Sequence, residues 1–87
     1  MDTLLVQVPS QLRDHLRALR QRRSFTQAQV AALLGVTQSR YAYLEAHPES
    51  VATGRLLQVL ALLGADVQLR VRETSTRQAA PKTGDEW

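Results

Sequence analysis

The chain has 87 residues, 44% of them hydrophobic and 22% charged, which describes one small globular domain too short to hold two independent cores. It contains no cysteine, which excludes a disulfide scaffold, thiol catalysis and zinc sites built on thiolates. The net charge is +3, and ten of the eleven basic residues are Arg, whose planar fork suits phosphate and base-edge contacts.

The charge is unevenly spread. Residues 1–23 carry five Arg (13, 17, 20, 22 and 23) against Asp2 and Asp14. Such a basic third points to a polyanion or to a solvated helix face. No apolar run approaches the roughly 20 residues that span a bilayer; the longest, over 56–65, is interrupted by Gln58 and Gly64. The start, MDTLLVQVPS, has an acid at position 2 and no basic leader, so no secretory signal and a cytoplasmic location are expected. His15 and His47 lie far apart with no acidic cluster between them, and neither a metal nor a cofactor is expected.

In chain order, residues 3–8 are β-branched and partly alternating until Pro9 stops them, which predicts a brief strand or arm over 1–9. Ser10 is expected to cap a first helix with Leu12, Leu16 and Leu19 on one face, Ala18 beside them and fraying at Arg22-Arg23-Ser24. Thr26 with Gln29 forms a capping-box pattern that opens a second helix. Val30, Ala31, Leu33 and Leu34 supply its apolar positions, and Gly35 ends it. Thr37 caps a third helix running from about Gln38 to Ala46, which His47-Pro48 stops. A fourth helix starts near Thr53 or Gly54. Leu56, Leu57, Val59, Leu60, Leu62 and Leu63 make it apolar around most of its circumference, so it should be central to the core, and Gly64 closes it. Residues 66–72 alternate apolar and polar side chains and predict a half-buried strand. A lone strand needs a partner, either residues 3–8 or the same segment of a second chain. The helices and last strand thus make a domain over 10–72, followed by a polar tail over 73–87 that reads as disordered.

The second and third helices, joined across a glycine, describe a helix-turn-helix. A short glycine turn is common in small helical domains, so the spacing matters more than the turn. Gln27, Ala31, Gly35, Tyr41 and Leu44 each answer a separate need. Gln27 at the positive end of helix two can donate to a backbone phosphate. Ala31 is small where two helices cross, Gly35 makes the turn, and Tyr41 with Leu44 packs helix three on the core. Gln38, Ser39, Arg40 and Tyr43 then project from the half of helix three that would enter a major groove. Gln suits adenine and Arg suits guanine.

The run FTQAQVAALLGVTQSRYAYLE resembles the helix-turn-helix of the Cro/C1-type (XRE) repressors over about residues 10–64. The resemblance implies a mostly α, four-helix, lambda-repressor-like fold. A helix ending in Leu-Leu-Gly, the segment DVQLRVR and a tail closing on Trp are similar to HipB-type antitoxins. That similarity implies a homodimer whose C-terminal strands pair across the two-fold. Such a dimer is expected to bind a palindromic operator with two recognition helices in successive major grooves. It also implies autorepression of a toxin–antitoxin operon and binding of a HipA-type serine/threonine kinase toxin. Carried over by position, Gln27, Thr37, Gln38, Ser39, Arg40 and Tyr43 occupy DNA-facing places. Arg20 and Glu45 sit where the repressors hold an internal salt bridge. The chain departs from the pattern at Tyr41, where an aliphatic residue is common and a slightly shifted recognition helix is implied. It departs again at Ala52, where a helix cap is expected.

Other residues carry open readings. Arg22 and Arg23 suit phosphate contact beside helix two, or simply solubilise a helix end. Arg70 and Arg72 either guard a strand edge or approach DNA or a partner. His15 is expected on the flank of helix one without a chemical task. Asp85 and Glu86 lack the fixed pocket that acid–base work requires, so no enzyme is expected. Trp87 is an accident of the terminus or an anchor for a partner's pocket. Two other functions fit the same residues: a stand-alone, phage-type repressor without a toxin partner, and a protein-interaction module on a helix-turn-helix scaffold.

Overall fold

A computed structural model of the protein describes residues 3–72, which form four α-helices. They are α1 (Pro9–Arg22), α2 (Gln27–Leu34), α3 (Gln38–Ala46) and α4 (Thr53–Leu62), with a short 3₁₀ turn at Pro48–Ser50 between α3 and α4. Among the described residues no helix is long and apolar enough to cross a membrane.

Local chemistry sets the helix ends. At α2, the Thr26 hydroxyl accepts from the Gln29 amide at 3.1 Å while the Gln29 carboxamide oxygen accepts from the Thr26 amide at 2.8 Å. These two bonds satisfy amides that would otherwise be orphaned. Thr37 does the same for the Arg40 amide at α3. α1 begins one residue before Ser10, because Pro9 supplies a ready-made helical φ at its first position. Val8 there has no side-chain acceptor to offer, and the Gln11 carboxamide oxygen instead accepts from the amides of Val8 at 3.2 Å and Gln7 at 2.6 Å.

α1, α2 and α4 end in one way. In α2 the Val36 amide donates to Ala31 and the Gly35 amide to Ala32; in α4 Ala65 donates to Leu60 and Gly64 to Ala61; in α1 Phe25 donates to Arg20 and Ser24 to Gln21. Each pair of bonds is a Schellman closure, which needs a left-handed residue. Gly35 and Gly64 supply it at φ 75° and 81°, but Ser24 supplies it in α1 at φ 60°. The expected fraying at 22–24 is therefore an ordered stop.

The core joins Leu16 and Leu19 of α1 to Val30, Ala31 and Leu34 of α2. Tyr41 and Leu44 of α3 and Val59, Leu60 and Leu63 at the end of the chain's last helix complete it. Fully burying a side chain of Leu or Val size stabilises by about 1.5–3 kcal/mol, so these few positions hold the domain together. Ala18, Leu33 and Leu57, read as apolar-face positions, are exposed instead. A 70-residue layer of short helices has too little interior to cover the whole circumference of α4.

Neither expected strand is present: among the described residues, 3–8 and 66–72 form no β-ladder. For 3–8 the reason is competition. The Leu5 carbonyl accepts from His15 Nε2 at 2.9 Å, and Gln11 takes two of the amides, so side chains of α1 occupy the backbone groups a ladder would use. His15 therefore has a structural task, tethering the arm. For 66–72 the reason is the lack of a neighbour, since a strand cannot pair with itself. Val67, Leu69 and Val71 are left exposed.

Candidate nucleic-acid interface

The turn of residues 35–37 sets α3 against α2. Val30, Ala31 and Leu34 bury one side of α2 while Tyr41 and Leu44 bury the matching side of α3. Tyr41, Leu44 and Glu45 bury one side of α3, which turns Ser39 and Tyr43, four residues apart, to the opposite side and leaves Gln38 and Arg40 on its flanks. Gln38, Ser39 and Arg40 are exposed, as is Tyr43 at 60%. The structure thus brings these four together on one accessible patch at the start of α3.

Thr37 stands beside them with its oxygen committed to the Arg40 amide at 3.1 Å, so its visible role is to start the helix. Gln27 is half-buried at the head of α2, where its Nε2 donates to Glu45 Oε1 at 3.0 Å. Arg22 is exposed at the last residue of α1. Arg23 reaches toward the end of α4, with its Nη1 3.0 Å from where a Cβ on Gly64 would stand. Trp87, Asp85 and Glu86 lie outside the described residues.

Beneath the patch lies a buried polar cluster. Glu45 is 3% exposed, yet its carboxylate receives four hydrogen bonds. Arg20 Nε donates to Oε2 at 2.7 Å and Nη2 to Oε1 at 3.2 Å, Gln27 adds the bond to Oε1, and the Tyr41 hydroxyl donates to Oε2 at 3.0 Å. Arg20 Nη1 also donates to the Phe25 carbonyl at 2.9 Å. Burial alone pushes the Glu45 carboxyl up, but the hydrogen bonds from Arg20, Gln27 and Tyr41 outweigh it and hold its pKa below the ordinary value. Burial, with the neighbouring Glu45 charge, drives the Tyr41 phenol well above its ordinary range, so the hydroxyl stays a donor. Four elements, α1, the loop before α2, α2 and α3, are thereby tied to one carboxylate. The cluster fixes the buried side of α3 against α1 and α2.

Sequence reasoning missed Arg55. It lines an open groove between the 35–37 turn, α3 and the start of α4, with Arg40, Tyr43, Val36, Ser50 and Val51 on the other walls. Its guanidinium bonds Gln58 at 3.3 Å on the exposed side of α4. Arg40 and Arg55 are 15 positions apart in sequence. Only the cap-less start of α4 at Ala52 hints that this helix end borders the patch. At its far end α3 carries a tilted ring pair, Tyr43 and His47, with centroids 4.5 Å apart. The His47 Nδ1 lies 3.6 Å from Glu49 Oε2.

A family model described as a helix-turn-helix domain matches residues 3–72. No curated protein sequence and no solved structure gives a match.

Proposed function

We propose that this chain, which belongs to a helix-turn-helix domain family, is a sequence-specific DNA-binding regulator that acts as a homodimer in the cytoplasm by occupancy and not by catalysis. One observation carries the reading. Gln38, Ser39, Arg40 and Tyr43 are exposed together on the first two turns of α3, while the opposite face of that helix is locked by the Glu45 cluster. The N-terminal half of α3 enters the major groove. The carboxamide of Gln38 suits an adenine and the guanidinium of Arg40 a guanine, and Arg55 adds positive charge for the phosphates that flank them. Two copies read the half-sites of a palindromic operator about one helical turn, roughly 34–36 Å, apart.

The similarity to HipB-type antitoxins supports a narrower reading: the operator is the protein's own, and the second partner is a HipA-type kinase toxin that receives Trp87. Fluorescence anisotropy with the DNA upstream of its own reading frame and with a scrambled duplex, across salt, tests the DNA reading. Tight, selective binding that weakens steeply with salt is expected. Equal or absent binding to both duplexes would replace it with an interaction module. For the partner, Trp87→Ala should weaken kinase binding and leave operator binding intact.

A further inference from the structure

Tyr43 and His47 stand one helical turn apart at the end of α3. Their rings are tilted by 38° with centroids 4.5 Å apart, the spacing of an attractive aromatic pair. We infer that Tyr43 reads the 5-methyl group of a thymine in the major groove, and that His47 is the positioning residue that holds its ring for the contact. The inference rests on the DNA reading proposed above and names one base feature that the surface recognises.

The thymine methyl is the apolar feature that a base edge presents in the major groove. Gln38, Ser39 and Arg40 can offer it only polar or charged ends. Tyr43 is the aromatic member of the same outward patch and is 60% exposed. A ring so exposed ordinarily changes rotamer freely. Fixing a mobile side chain on binding costs about as much as burying one methyl group gains, so the contact counts only if the ring is held beforehand. His47 can hold it, because its own main chain is anchored by three hydrogen bonds. Its amide donates to the Tyr43 carbonyl at 2.8 Å, and its carbonyl accepts from the Ser50 amide at 3.0 Å and the Ser50 hydroxyl at 2.8 Å. Buried Pro48 follows it. Among the described residues no hydrogen bond to the Tyr43 hydroxyl pulls the ring another way. Glu49 Oε2 lies 3.6 Å from His47 Nδ1, but both side chains are about half exposed, and such a pair contributes little in water. The support is the anchored main chain and the stacked ring, not the ion pair.

The test uses the full chain and the duplex from upstream of its own reading frame, with each thymine replaced in turn by uracil, which deletes only the 5-methyl group. Affinities are read by fluorescence anisotropy. For the native chain, one thymine in each half-site should show a loss of about fourfold, the worth of one buried methyl. Tyr43→Ala should abolish the loss at that thymine and at no other. His47→Ala should abolish it too, although the tyrosine remains, and the double variant should bind no more weakly than Tyr43→Ala alone. His47→Phe keeps a ring and should retain the loss, as should Glu49→Gln. If Tyr43→Ala abolishes no uracil effect, the ring touches no methyl group and the inference is wrong, although the DNA reading stands. If His47→Ala keeps the effect in full, or His47→Phe loses it, the stack does not position the ring and the inference again fails. A native chain that binds the upstream and scrambled duplexes equally removes the DNA reading and this contact with it. Tyr43, His47 and Glu49 are all exposed, and the main-chain bonds of His47 do not depend on its side chain. Helix content by circular dichroism should therefore be unchanged in each variant.

Discussion

Arg20 and Glu45 stand 25 residues apart and meet fork to fork, Nε to Oε2 at 2.7 Å and Nη2 to Oε1 at 3.2 Å. The pair joins the end of α1 to the end of α3, with Glu45 3% and Arg20 13% exposed at the side chain. Removing one partner of a buried pair costs about 3–5 kcal/mol, because the other charge is left without compensation. Small domains have only about 5–15 kcal/mol in total. Arg20→Ala should therefore lower the urea midpoint sharply and abolish DNA binding together with the fold. A loss below about 1 kcal/mol would mean that water screens the pair as it does on a surface.

The same cluster predicts acid sensitivity. The Glu45 carboxyl has a pKa below its ordinary 4.5 in the folded chain. A depressed carboxylate contributes stability that is fully present above the unfolded value and is lost as pH falls through the folded one. Urea midpoints between pH 7 and pH 3 should hold level down to about the ordinary carboxylate range and then decline. Glu45→Gln, already weaker at pH 7, should decline less over that window. Parallel declines would assign the acid sensitivity to other carboxyls.

Ser24 closes α1 at φ 60°, where the other two closures use glycine. A left-handed conformation costs a residue with a Cβ about 1–2 kcal/mol, part of which polar residues recover locally. Ser24→Gly should stabilise by roughly 0.5–1 kcal/mol, which for a domain of this size raises Tm by about 2–8 °C. The converse, Gly64→Ala, should lower Tm. Its added Cβ meets only the flexible Arg23 side chain, so the cost is mainly that of φ 81°. A Tm unchanged by Ser24→Gly would show that the serine is unstrained.

The ends of α2, the start of α3 and the stop of α4 were legible in the sequence because capping is local: Thr26 with Gln29, Thr37, Gly35 and Gly64 act on neighbours within a few residues. Both ends of α1 were not, since Pro9 and not Ser10 starts it, and Ser24 stops it where the sequence predicts fraying. Tyr41 was read only as a packing residue that departs from an aliphatic norm. Its hydroxyl partner lies four residues on, at Glu45, one turn along the same face, and that spacing was the available signal. Residues 3–8 failed as a strand because side chains of α1 took their backbone groups, a competition that propensity does not register. The juxtaposition of Arg40 with Arg55 depends on how α4 packs, and no local pattern encodes it.

Arg55 and Gln38 should separate affinity from selectivity. Both are exposed and both border the groove or patch on α3, but their chemistry differs. A guanidinium beside a phosphate contributes to every duplex, and its loss removes one released counterion. Arg55→Ala should thus weaken specific and scrambled DNA alike and reduce the salt slope by about one. A carboxamide on a base edge contributes only where the base is right. Gln38→Ala should cost about 1–3 kcal/mol on the operator, little on scrambled DNA, and leave the salt slope as it was. Anisotropy titrations at several salt concentrations read both quantities at once. If Arg55→Ala changes selectivity and not the slope, it reads a base, and α3 lies across the groove at a different angle from the one its exposed residues imply.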